Sequence, residues 1–91
     1  MKPIITHTFR DKRYQVWNSP QRSKYFGSCD NPKTKNKKIR IPIHGKRLFD
    51  LDTILHECFH ACEFDLDETA AEKFAEATSK LLWRLGWRKE K

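Results

Sequence analysis

Ninety-one residues make one domain with a thin core, because a chain of this length buries only a modest share of its unfolded surface. Hydrophobic residues form 37% and charged residues 34% at a mean hydropathy of −0.86, and no stretch reaches membrane-span length, which excludes a membrane-spanning protein and describes a small soluble domain that gains from a staple such as a bound metal. A formal charge of +7 favours acidic partners without identifying one.

Met1 to Arg10 lacks the apolar run of a signal peptide, which points to the cytosol. The chain divides near Phe49 into a β-leaning part, 1–48, and a helical part, 49–91, with no repeat or linker between them, so one α+β domain over 1–91 is expected. Arg13 to Trp17 alternates with Tyr14 and Val16 on one side, and Lys38 to Ile43 alternates with Ile39, Ile41 and Ile43 on one side. Both read as half-buried strands of a small antiparallel sheet, and Pro42 assigns the second to an edge. Gly27, Asp30, Asn31 and Pro32 supply turn chemistry for a hairpin from Tyr25 to Ile43. The run Lys33, Lys35, Lys37, Lys38 and Arg40 reads as its solvated tip, with contact to an acidic partner or nucleic acid as the alternative.

In the second part, Asp50 is the expected N-cap of a helix from Leu51 to Glu63. Asp65 or Asp67 caps a second helix from Leu66 to Leu85, closed by Gly86 as its C′ residue. So short a connection makes the helices pack nearly antiparallel. Leu66, Ala70, Ala71, Phe74, Ala77, Thr78, Leu81, Leu82 and Leu85 give the second helix its apolar side. Trp83 and Trp87 are expected to pack the last helix and its exit, with Arg84 and Arg88 beside them as an alternative binding surface. Three cysteines cannot all pair within the chain. Cys58 and Cys62, four apart on a helix, hold their Cβ atoms roughly 5–6 Å apart where a disulfide wants roughly 3.8 Å, so reduced thiols in the apolar arc are expected.

His56-Glu57-Cys58-Phe59-His60 is an H-E-x-x-H motif, which arises by chance in only about one sequence in a hundred of this composition. On a helix its two imidazoles fall about 40° apart at the margin of the apolar arc, where they can share one metal ion. A catalytic zinc takes three protein ligands and leaves a fourth position for water, whose pKa it lowers to about 7. Glu57, beside the first ligand, is placed as general base. The third ligand is expected from the second helix, where Glu68 and Glu72 share a border. Glu68 is read as the ligand and Glu72 as the acceptor that orients a ligand histidine, with the reverse assignment open. As a purely structural alternative, Glu68 sits at N3 of a capping box begun by Asp65. His7, Tyr25 and His44 receive no role.

With Glu68-Thr69-Ala70-Ala71-Glu72-Lys73-Phe74-Ala75 following it, the motif resembles the gluzincin arrangement, and particularly the ImmA/IrrE-type peptidases, in which a ligand glutamate, a polar residue four positions on and a Phe-Ala pair fall on Glu68, Glu72, Phe74 and Ala75. Leu51 to Trp87 is also similar to small metallopeptidases encoded by bacteriophages, and His56 to Ala61 to SprT-like proteases. The resemblance implies a minimal zincin fold with Zn2+ as cofactor, a peptide or protein as substrate, the host cytoplasm as location for a phage-encoded chain, and an edge strand, Lys38 to Ile43, that binds substrate in extended form. Two other functions fit the same residues: a basic nucleic-acid-binding module with structural zinc, and a latent regulator of zincin fold.

Overall fold

In a computed structural model that describes residues 3–19 and 27–89, the two parts fold as expected for α+β. The elements in order are β1 (Ile5–Phe9), β2 (Lys12–Asn18), β3 (Ser28–Cys29), β4 (Lys38–Ile41), α1 (Leu48–Cys62) and α2 (Glu68–Arg84). No helix among the described residues is long and apolar enough to cross a membrane.

The strands form one sheet in the order β1-β2-β4-β3. β1 and β2 are an antiparallel hairpin whose turn places Arg10 at φ +60°, and β3 pairs antiparallel with β4 through Ser28↔Arg40 and Cys29↔Ile39. The sheet is mixed, not antiparallel throughout, because β4 runs parallel to β2 with Val16 opposite Ile39 and Asn18 opposite Ile41. Nor is β4 an edge. The strand stops at Ile41, just before Pro42, so the missing N–H of the proline costs the ladder nothing, and β3 covers the side that was expected to be open. The expected hairpin start at Tyr25 lies outside the described residues; within them, β3 and β4 are joined by a turn-rich connection whose centre is Asp30. Its carboxylate accepts from the Lys38 backbone N–H at 2.9 Å and from Arg40 Nη1 at 3.1 Å. Lys37 and Lys38 stack over the rings of Tyr14 and Trp17, so of the basic run only Lys33 and Lys35 stand exposed at the tip.

One face of the sheet carries the core, as the alternation requires. Tyr14 and Ile39 are fully buried, Val16 and Ile41 nearly so, and α1 lies on them through Ile54, Cys58 and Ala61. The β1–β2 hairpin also holds the end of this helix: Lys12 Nζ donates to the Cys62 carbonyl at 3.1 Å and Arg10 pairs with Glu63, both cations at a helix C-terminus. The α1 start differs from expectation. Its N-cap is Arg47, and Asp50, one turn inside and without exposed surface, accepts from the Arg47 backbone N–H, Nε and Nη2, each at 3.0 Å.

α2 packs on α1 alone among these elements, giving three layers with α1 in the middle. Its contact line is Ala71, Ala75 and Ser79, spaced four apart and all buried, whereas the larger Phe74, Leu81 and Leu85 of the expected apolar side are more exposed than buried-side residues would be. The contact is thus narrower and rotated toward the small residues. At the far end Leu85 is the C-cap and Gly86 adopts φ +94°, with Gly86 N–H bonded to Trp83 O and Trp87 N–H to Leu82 O, both at 3.0 Å. This is a Schellman closure, and it places Gly86 at C′ as expected.

Replacing Asp50 by Ala removes the groups that satisfy Arg47 at the helix start and should lower unfolding free energy by about 1–3 kcal/mol in urea titrations. The Arg47 hydrogen bonds hold the Asp50 carboxyl below its ordinary range. Its contribution is therefore complete above about pH 4 and is lost as the pH falls through the depressed value, so Asp50→Asn should show a shallower acid slope than wild type.

Candidate metal centre

On α1, His56 and His60 stand one turn apart and direct their Nε2 atoms to one point, 3.2 Å from each other. On α2, the N-cap is Asp67, which accepts from the Ala70 N–H at 2.8 Å. Glu68 is therefore the first helical residue and not the N3 member of a capping box, and its side chain reaches back across the short connection. Its two oxygens lie 2.5 Å from His56 Nε2 and 3.1 Å from His60 Nε2. One ligand atom from each of the three residues falls within 4.8 Å of the others.

These separations suit a single small ion. Around a tetrahedral zinc with ligands at about 2.0–2.1 Å, neighbouring ligand atoms stand roughly 3.3 Å apart, so the three donors need only small shifts to embrace one. Two imidazoles and a carboxylate are also the donor types that leave such an ion an open position. The histidine side chains are mostly covered while Glu68 is 62% exposed, so the group opens on the Glu68 side. Glu72, one turn further along α2, is exposed and makes no hydrogen bond or ion pair with either histidine.

Glu57 borders the same cleft. Burial pushes its carboxyl up to about 6, with the charge of His56 working against that rise and the charge of Glu68 adding to it. The backbone at Gly27, just before β3, passes close over Glu57. A Cβ added to Gly27 would stand 2.9 Å from Glu57 Cγ, 2.9 Å from Thr53 Cγ2 and 3.0 Å from the Arg40 carbonyl, so only glycine lets the backbone pass over this turn of α1. Cys29 of β3 and Phe64 and Leu66 of the helix connection complete a cavity of about 340 Å3 that contains His56, Glu57, His60 and Glu68.

No family model, curated protein or solved structure matches the chain. The chemistry of the cleft is accordingly read from its own residues: a half-buried carboxylate with a raised pKa, three converging donors, and an open side.

Four residues that shape this cleft carry no sequence signal that points to it: Gly27, Cys29, Phe64 and Leu66. Gly27 and Cys29 come from the β3 edge of the sheet, and no local pattern links them to the motif. Asp52, one helical turn before His56, lies outside the cleft lining; burial raises its pKa and the charge of His56 opposes the rise. Cys58 and Cys62 are free thiols; burial pushes Cys58 up to about 11, as it does Cys29. His44 is exposed and His7 packs edge-on to Phe9, both outside the cleft, while Tyr25 lies outside the described residues.

The raised pKa of Glu57 has a measurable sign. In metal-free protein the charged form is disfavoured by folding, so wild type carries a cost that appears as the pH rises from about 4.5 through about 6. Glu57→Gln should raise Tm relative to wild type at about pH 8 and lose that advantage at about pH 4; a difference independent of pH would show that the carboxyl is not desolvated.

Proposed function

We propose that the chain is a zinc-dependent peptidase. The observation that carries this reading is the convergence of His56 Nε2, His60 Nε2 and the Glu68 carboxylate beside a half-buried Glu57, all within one open cleft. His56, His60 and Glu68 hold the ion. Bound there, zinc supplies the Lewis acidity that polarises a peptide carbonyl and makes water acidic.

Glu57 does the proton work. Its carboxylate takes a proton from the attacking water and, as the acid so formed, returns that proton to the departing amine nitrogen. Glu68, at the first position of α2, places its negative charge at the helix end that favours it, which holds the carboxylate in the cleft. An extended substrate would pair with β3, which of the two edge strands, β1 and β3, is the one that contributes a residue, Cys29, to the cleft wall. This moves the substrate-binding edge from Lys38–Ile43, whose strand β4 lies inside the sheet, to Ser28–Cys29.

Elemental analysis of purified, tag-free protein should find close to one zinc per chain. Glu68→Ala should weaken zinc retention about 10–100-fold or more, and Glu72→Ala should leave it unchanged. Glu57→Gln should keep the zinc while cleavage of a peptide library falls by about 10²–10⁴. Full cleavage by Glu57→Gln removes the mechanism. No zinc after reconstitution removes the metal reading, and full zinc with no cleavage by wild type favours the latent regulator.

A further inference from the structure

A second depression lies at the opposite end of the helix pair from the histidines, where the start of α1 meets the exit of α2. Its floor is apolar: Ile43 after β4, Leu51 and Ile54 on α1, and Trp83 and Trp87 at the end of α2. Four cations line it as well, Lys46 and Arg47 before α1 and Arg88 and Lys89 after α2, and among the described residues no carboxylate lines it. Asp50, next to Leu51 in sequence, is buried beneath Arg47.

This end of the molecule is built and held in shape. The positive φ of Gly86 turns the chain so that Trp87 returns toward Trp83. Arg88 lies flat on the Trp83 ring, its guanidinium 3.3 Å from the centroid, and Nη1 donates to the carbonyls of Trp83 at 2.7 Å and Trp87 at 3.1 Å. One positive charge is thereby fixed at the groove, and Trp87 is left 65% exposed, a large aromatic surface with water on one side.

We infer that this groove docks an acidic peptide segment that inserts one apolar side chain between Trp83, Trp87 and the α1 residues Leu51 and Ile54, with flanking carboxylates on Lys46, Arg88 and Lys89. Size, polarity and charge each select that occupant. The cavity of about 230 Å3 is below the roughly 300–1,000 Å3 of small-molecule sites and suits one or two side chains. Its apolar floor offers an aliphatic or aromatic side chain contact area at no hydrogen-bonding cost. The Trp83 face is already covered by Arg88, which removes half of a stacking platform for single-stranded nucleic acid. The cations surround an apolar centre, the complement of a peptide whose acids flank its anchor. The inference does not depend on the peptidase reading, since no residue of this groove borders the histidine cleft.

The test is a titration of the full chain with a fluorescein-labelled hexapeptide, Asp-Glu-Phe-Leu-Glu-Asp, read by anisotropy and by tryptophan emission. Binding is expected in the micromolar range and should weaken as salt rises. Trp87→Ala should weaken it at least about tenfold, as should the exposed double variant Lys46→Glu/Lys89→Glu, while Lys33→Ala/Lys35→Ala, exposed and outside both clefts, should give the wild-type curve. A peptide with both central residues changed to Ser should bind at least about tenfold more weakly. Equal binding of the Ser peptide, insensitivity to both groove variants, or absence of binding at millimolar peptide each overturns the inference. Tighter binding of a single-stranded oligothymidylate with the same dependence on Trp87 and the lysines overturns it in favour of nucleic acid.

Discussion

How near two helices can come is decided by the side chains between them, and on the α2 side the buried ones here are Ala71, Ala75 and Ser79. Large residues along that line would set the helix axes further apart, and a glutamate at the first turn of α2 would no longer reach two imidazoles at hydrogen-bonding distance. The rest of the site depends on this seam. α2 touches no strand, so nothing else fixes its height above α1. The short connection and the Asp67 cap set where α2 begins, and the small residues set how closely it lies.

The sheet contributes from the other side of α1. Tyr14, Val16, Ile39 and Ile41 give α1 a flat apolar bed, and Lys12 and Arg10 tie its C-terminal end to the first hairpin. With both faces engaged, α1 presents its two histidines to α2 and Glu57 toward the chain leading into β3. Gly27 is the point of closest passage, and the absence of a side chain there is what lets the wall come near enough to dehydrate a carboxylate. The raised pKa of Glu57 and the tight fit of Gly27 are two views of one packing arrangement.

Most of the architecture could be read from periodicity, and the misreadings have physical reasons. Tyr14, Val16, Ile39 and Ile41 announce strands because alternate residues meet the core. β1 does not, since Ile5 to Thr8 are all exposed and its pairing with β2 rests on backbone hydrogen bonds and on the left-handed Arg10. β3 is two residues long, too short for any pattern. Asp50 looked like a cap because acids do cap helices, but a buried acid one turn inside can satisfy the same groups from within, with an arginine completing the bonding. Pro42 suggested an edge, where in fact it marks only the strand's end. His56, His60 and Glu68 converge because a four-residue helical step and a short connection are local facts. The cleft wall was hidden because Gly27 and Cys29 arrive from a distant strand through sheet order, which no local window contains. The contact line of α2 was misjudged for a similar reason: hydrophobicity alone favours Phe74 and Leu81, whereas closeness favours alanine.

All three donor residues belong to α1, α2 and the few residues that join them, and that has a consequence for how the molecule breathes. Bringing together ends separated by so little chain costs little loop entropy, while the parallel pairing of β2 with β4 must close a far longer loop. The helical hairpin is therefore the cheap part to assemble and the sheet the expensive one. Strands at the margin, β1 and the two-residue β3, can open and reclose as subglobal fluctuations without scattering the histidines and the glutamate, so slow-exchanging amides should mark α1 and its seam with α2 even while the wall over Glu57 comes and goes.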